Sequence, residues 1–325
     1  MQKLICSKVE LYRNFKDVKF VDYMDDEDLQ NNIDMVSNVV NEDISEYDLK
    51  LIKFDKEQDE IIQELLQKRL VSGKFIKKEE NAVVFINEAQ NILLTINEDE
   101  HLKISSVSNG LNLKEEFENV DRIDDIIGNK IQYAFSEKYG YLASKINKTG
   151  NGLKATVILS LPLLEANKKI PDITKRLGEE GIVLNKIYNA GIYESNLFQV
   201  YNQFKINVTE SEIIEKLQDV VQELLLEERQ YEEKPLYDEI QVKDRVFRAE
   251  AILKSARLLT ESEKLNLIAD IRMGIHLSII DISNETLDKI VLLTRTDKLE
   301  ENLSEPLTEI QRNMLRAQIV RDILG

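Results

Sequence analysis

The chain has 325 residues, with 60 Asp and Glu against 43 Lys and Arg, for a formal net charge of −17. That sign excludes nucleic acid and an anionic membrane surface as main partners, because a phosphate backbone repels it, although a local basic pocket can still hold one small anion. A single cysteine (Cys6) excludes an internal disulfide, and two histidines (His101 and His276) are too few for a His/Cys metal site, so no metal is expected.

Hydrophobic residues make up 42% and charged residues 32%, enough for a sizeable core beneath a heavily charged surface. The opening MQKLICSKVELYR has neither a signal-length apolar stretch nor a lipid-attachment box, and the longest apolar run, residues 155–164, is too short for a bilayer span. The expectation is a cytoplasmic protein of one large or two ordinary domains.

Between residues 74 and 107 the runs AVVFIN, ILLTIN and HLKISSV alternate apolar and polar side chains, which predicts an antiparallel meander. Residues 114–138 change to helical spacing, with Phe117, Val120, Ile123, Ile127, Ile131 and Phe135 on one stripe. Strand patterns follow at 153–161, 182–188 and 197–206, with a helix at or near Pro171 between the first two. Thr209 and Glu212 form a capping box that opens a long helix ending near Glu228. Residues 226–240, charged and containing Pro235, read as a hinge or linker. Beyond it only helical patterns occur, with capping boxes at Thr260–Glu263 and Thr308–Gln311. The fold class is therefore α+β: residues 1–230 carry an antiparallel sheet, and residues 231–325 form a small all-helical domain.

No GxxxxGK[ST], GxGxxG, GxSxG or HExxH motif occurs, and the Gly-rich, basic Gly150-Asn151-Gly152-Leu153-Lys154 has the wrong spacing for a phosphate loop. On these residues alone the chain is an α+β protein of open function.

A colinear set of segments narrows it. CSKVELYRNF (6–15) sits where one family has SSRVRLARNL, KRLVS (68–72) where it has a KHLIS-like segment, and NEDEHLKI (97–104) where it has NEEDHLRI. YGYLASKINKTGNGLKATV (139–157) parallels GYLTSCPTNVGTGLRASV, and IYNAGIYESNLFQVYNQ (187–203) parallels IYGEGSEALGNIFQISNQ with one residue deleted. The chain thus resembles the ATP:guanidino phosphotransferases, and within them the bacterial protein-arginine kinases, which phosphorylate arginine side chains of proteins. ARLLTESEKLNLIADIRMGIHLSII (256–280) is similar to the start of the helical domain that these carry and metabolic guanidino kinases lack.

The resemblance implies a guanidino-kinase sheet domain, a transferase activity with Mg·ATP as cofactor, and a clamp of arginines on the nucleotide. Here Lys8 and Glu10 replace the first two clamp arginines, Lys103 and Lys154 replace two more, and Asn185 replaces a fifth. Arg69 stands in the place of a nucleotide-contacting His. Of the acids that orient the guanidinium and take its proton, one is Asp99, a methylene shorter than the family's Glu, and the other is lost at Ala190. Lys145 replaces an active-site cysteine. The family's phosphoarginine-reading RDxxRA motif stands as Arg312-Asn313-Met314-Leu315-Arg316-Ala317.

Lysine keeps the charge but loses the bidentate fork, and Glu10 reverses the sign, so the resemblance implies an impaired kinase acting by binding. Its implied setting is protein quality control and the stress response. The implied partners are phosphoarginine proteins, an active arginine kinase or Clp-type protease machinery, with a homodimer and a zinc-binding activator as family habits. The alternative is a divergent active kinase in which lysines do the work of arginines. His101 is expected as a structural hydrogen-bonder and Cys6 as a small buried apolar group.

Overall fold

The computed structural model of the protein describes residues 4–53, 61–62, 65–66, 70–73, 75, 81–187, 197–204, 208–231, 239–294, 296–300 and 307–325. Its first part is an antiparallel sheet with helices on one face. The strands are β1 (Leu4–Arg13), β2 (Lys50–Lys53), β3 (Val83–Ile86), β4 (Ile92–Ile96), β5 (Leu102–Asn109), β8 (Leu153–Ser160), β9 (Ile182–Lys186) and β10 (Leu197–Asn202). They lie in the order β2-β3-β4-β5-β1-β8-β10-β9. The predicted meander is β3 to β5, and the three later strand patterns are β8, β9 and β10.

One sheet face supplies Val9 and Leu11 of β1, Leu153, Ala155 and Val157 of β8, and Phe198 and Val200 of β10 to the main core. Helices α1 (Asp26–Asp43), α2 (Leu113–Gly128), α4 (Ile170–Glu179) and α5 (Glu210–Gln230) cover that face, and each fully buried Leu, Val or Phe there contributes about 1.5–3 kcal/mol. Helix α1 forms because Leu29, Ile33, Val36 and Val40 recur on one face, while the Asp25 side chain accepts the Asp28 backbone N–H at its start. The short α3 (Pro162–Ala166) and α4 both place a proline in the first turn, where no N–H is needed.

The helical stripe expected over 114–138 stops earlier, at Gly128. The chain there turns back onto β1. Lys16 N donates to Gln132 O and Ala134 N to Asn14 O, so residues 132–134 bond along the end of β1 instead of extending the helix. Ile131 stays buried in that turn. Phe135, 57% exposed, begins the small ribbon of β6 (Phe135–Ser136) and β7 (Gly140–Tyr141).

The other sheet face is divided. At its β2–β4 end Ile62, Leu65, Leu70, Val71 and Phe75 cover Val84, Ile86 and Leu93, a second small core. From β5 to β8 the middle of this face carries Lys8, Glu10, Lys103 and Lys154, and at one end Ile158, Ile187 and Leu197 form a small apolar cluster.

Helix α5 opens on the full Thr209–Glu212 capping box and runs on to Gln230; residues 232–238, which include Pro235, lie outside the described residues. The remaining helices are α6 (Glu239–Ser255), α7 (Glu261–His276), α8 (Asn284–Leu293), α9 (Thr296–Glu300) and α10 (Glu309–Leu324). They share their own core, in which Leu253, Ile268, Ile271, Leu287, Ile290 and Val320 are buried. Thr260 caps α7 and a complete Thr308–Gln311 box caps α10. Among the described residues no helix is long and apolar enough to cross a membrane.

Candidate functional site

Successive strand residues point to opposite faces, so Lys8, Glu10 and Tyr12 of β1 project away from the main core. The register sets Glu10 opposite Ser105 of β5 and Lys154 of β8, and Tyr12 opposite Lys103. Four predicted site residues, Lys8, Glu10, Lys103 and Lys154, are therefore gathered on one patch of the sheet.

What they do there is pair. Lys8 Nζ lies 2.9 Å from Glu10 Oε1. Lys103 Nζ forms a short ion pair with Glu98, whose other oxygen accepts the Ser72 backbone N–H at 2.6 Å. Lys154 Nζ sits 4.7 Å from the centroid of the Tyr201 ring, and the Tyr201 hydroxyl accepts from Asn185 at 3.2 Å. Glu10 is 3% exposed. Burial alone would raise its pKa, but Lys8, Lys103 and Lys154 together hold it down at about 2, so it is a carboxylate at any ordinary pH. Burial and the neighbouring Glu10, Glu98 and Asp99 push the Tyr12 phenol pKa up. Burial lowers the pKa of Lys154, and Lys8, Lys148 and Lys103 lower it further against the opposing pull of Glu10.

The acidic loop between β4 and β5 turns at Asn97, which has a φ of 60°. Asp99 Oδ2 accepts from Lys148 Nζ at 3.1 Å, and Lys148 also stands 4.0 Å from Glu100. Glu100, 2% exposed, accepts from Asn14 at 2.7 Å and from the Ser144 backbone and hydroxyl at 2.8 and 2.7 Å. His101 is fully buried: its Nδ1 accepts the Phe15 N–H at 2.9 Å, so Nε2 carries the proton and donates to Lys19 O at 2.6 Å. Burial lowers its pKa and keeps it neutral, the structural role expected of it.

Asn185 is exposed near the sheet edge, beside a cavity of about 750 Å³ that none of Lys8, Glu10, Lys103 or Lys154 lines. Lys145 is exposed and immediately precedes a short helical turn, Ile146–Lys148. Arg69 and Ala190 lie outside the described residues. Cys6 is half-buried against Ile158, Ile187 and Leu197, and burial raises its thiol pKa. Among the described residues no group of three His, Cys, Asp or Glu side chains could hold a metal ion.

Three residues of this region escaped the sequence reading. Glu98 and Lys148 sit within the segments 97–104 and 139–157, yet their pairing with Lys103 and Asp99 depends on how loops fold over the sheet. The third is Arg13, on the core side of β1. Its Nε lies 3.1 and 3.0 Å from the Asp124 carboxylate oxygens and its Nη2 donates to Oδ2 at 2.6 Å, while the guanidinium stacks 3.6 Å from the Tyr141 ring centroid. Gly152, at φ +67°, gives it room: a Cβ there would fall 2.5 Å from Arg13 Nη1. The glycine that resembles part of a phosphate loop thus packs an arginine.

In the helical part, Arg312, Asn313 and Arg316 share one side of α10. Arg316 is 2% exposed, and its guanidinium donates to Thr294 O at 3.2 Å, Leu259 O at 3.0 Å and Asn313 Oδ1 at 2.8 Å, with Glu261 Oε2 2.9 Å from Nε. Arg312 Nη1 pairs with Glu300 at 3.1 Å. Arg316 therefore joins α10 to the end of α8 and the start of α7.

An antiparallel sheet backed by helices is also the fold of solved guanidino kinases. The duplicated taurocyamine kinase of Schistosoma mansoni, with bound transition state analog components, superposes with a TM-score of 0.65 over 78% of this chain and 38% of that one, at 17% identity. Lombricine kinase gives a TM-score of 0.61 over 70% of this chain and 67% of its own, at 18% identity. Residues 31–231 match the model of the ATP:guanido phosphotransferase C-terminal catalytic domain, and residues 239–325 that of the protein-arginine kinase McsB C-terminal domain. The protein-arginine kinase of Clostridium botulinum is 32% identical over 327 residues, 99% of this chain and 95% of that protein. That of Listeria monocytogenes is 33% identical over 328 residues, 99% of this chain and 93% of that protein. The chain belongs to the protein-arginine kinase family.

Proposed function

We propose that this chain is a catalytically impaired member of the family, which acts by binding in protein quality control rather than by transferring a phosphoryl group. Phosphorylating a guanidinium needs cations free to clamp the ATP phosphates and an acid free to take the proton. The observation that carries the reading is the pairing on the sheet face: Lys8, Lys103 and Lys148 each rest on a carboxylate. Glu10 stays ionised in their midst and repels a polyphosphate. Asp99 is tied to Lys148 and is one methylene short of the family's glutamate, a displacement on the scale that costs about a hundredfold in rate. Mg·ATP does not fit this set of residues.

The partners to be tested are phosphoarginine proteins, an active arginine kinase and Clp-type protease machinery, in the cytoplasm. Phosphoarginine faces its own obstacle on α10, since Glu300 and Glu261 already occupy the guanidinium groups of Arg312 and Arg316. The alternative of a divergent active kinase draws support from the positive charge kept at Lys8, Lys103 and Lys154.

Thermal-shift titration separates these readings. A ligand at a hundred times its Kd stabilises the folded state by about 2.7 kcal/mol, an easily visible shift. The proposal expects no shift with Mg·ATP; a shift with phosphoarginine assigns the binding role to α10. A saturable shift with Mg·ATP contradicts the proposal and favours the active kinase.

A further inference from the structure

Beside the outermost strand, β9, the charged groups are incompletely matched. Lys186 of β9 forms a short ion pair with Oε1 of Glu165 on α3, while Glu165 Oε2 is buried and finds no hydrogen-bond donor among the described residues. In the turn that leads to α4, Lys168 N donates to Glu165 O at 2.9 Å. The Lys168 side chain is exposed and has no carboxylate within ion-pair distance among the described residues. Asp270 of α7 is near enough to feel Glu165 and Lys186, and Arg245 holds it at 2.6 Å. Each of the two carboxylates thus has one cation, Lys168 is left over, and one carboxylate oxygen lacks a donor.

Glu165, Lys168 and Lys186 all line the cavity of about 750 Å³. Leu184 and Phe198, of the main core, and Ile170 and Pro171, at the start of α4, give it an apolar lining. Leu184 and Phe198 face the helix-covered side of the sheet, so the cavity lies on that side of β9 and reaches the strand edge at Asn185. A cavity of this size, mostly apolar with a few convergent polar groups, is what a small-molecule site requires.

We infer that this cavity binds a free α-amino acid with an apolar side chain, its carboxylate on Lys168, its ammonium on the second oxygen of Glu165 and its side chain on the apolar lining.

The alternatives each leave something unmet. A plain anion satisfies Lys168 but leaves Glu165 Oε2 without a donor, and a plain cation does the reverse. A polyanion such as a sugar phosphate exceeds the one spare cation. A polar side chain would lose its water against Leu184 and Phe198 without a partner in return. An α-amino acid carries both charged groups on one carbon, and the two residues that meet them leave a single turn of chain three positions apart.

The full chain is titrated by calorimetry with L-phenylalanine and with two analogues of nearly the same size. In L-3-phenyllactate a hydroxyl replaces the ammonium, and in L-phenylalaninamide an amide replaces the carboxylate. The expected result is saturable binding of L-phenylalanine with a Kd at or below about 1 mM, and binding of each analogue at least about tenfold weaker. Glu165→Gln should erase the preference over phenyllactate and keep that over the amide; Lys168→Met should do the opposite. Glu165 also pairs with Lys186, so if Glu165→Gln does not fold, the three probes on the parent chain and on Lys168→Met still decide. No saturable binding of L-phenylalanine overturns the inference, as do equal affinities for the three probes or preferences that Lys168→Met leaves unchanged.

Discussion

The two faces of one strand differ sharply. On the core side of β1, Val9 and Leu11 are fully buried, and Arg13 keeps a bidentate pair with Asp124 that is walled by Tyr141 and fitted by Gly152. On the other side, Lys8 and Glu10 stand where the family's motif has two arginines, and they neutralise each other. Of the three arginines in that motif, the one the fold depends on is present, and the two that face the site are replaced. A scaffold tolerates loss of charges aimed at a ligand, because their desolvation and pairing can be rearranged locally. It does not tolerate loss of a charge whose partner is buried with it.

The largest test of this comparison is Arg13→Ala. It leaves Asp124 buried without its cation and should cost about 3–5 kcal/mol in urea unfolding of the sheet domain. A cost below about 1 kcal/mol would show that the core side is no more dependent on its charges than the site side.

Next comes acid titration of Glu10. Its folded pKa of about 2 lies below the ordinary 4.5, so its contribution is fully present above pH 4.5 and fades as pH falls toward 2. The contribution is up to about 3 kcal/mol. Melting temperature followed from pH 6 to 2 should fall less steeply in Glu10→Gln than in the parent over that window.

Lys103→Met strands the buried Glu98 carboxylate and should cost about 1–3 kcal/mol. Adding Glu98→Gln, which keeps an acceptor for Ser72 N, should recover most of it. Failure of that recovery would mean that the face needs the charges themselves, as a working clamp does. The smallest effect is expected at Arg312→Ala, whose pair with Glu300 is partly exposed, with less than about 1 kcal/mol lost.

How much of this was legible in the sequence follows from the distances along the chain. The meander and the capping boxes at Thr209 and Thr308 are local patterns and could be read directly. The strand alternation of β1 and the Leu29, Ile33, Val36, Val40 stripe of α1 were equally local but went unread, one behind the motif resemblance and the other behind the acidic residues between its apolar ones. The apolar spacing runs on past the end of α2 to Ile131, while the bonds that hold the chain beyond the helix come from Asn14 and Lys16, just after β1 and more than a hundred residues away. The same holds for the site. Lysines could be matched to clamp positions by motif, but their carboxylate partners could not: Asp99 and Lys148 are 49 residues apart, and Arg13 and Asp124 are separated by 111. The motif Arg312–Arg316 was visible, yet nothing local shows that Arg316 is buried against Thr294 and Leu259.

The most direct measurement of the central claim is a phosphotransfer assay. Folded protein is incubated with Mg·ATP and an arginine-rich protein substrate, and phosphoarginine is sought by mass spectrometry under conditions that spare the acid-labile P–N bond. The account predicts no phosphoarginine above the level without the protein. Phosphoarginine that forms with the parent chain and disappears with Asp99→Ala would contradict it, and would make the lysines of the sheet face a working clamp.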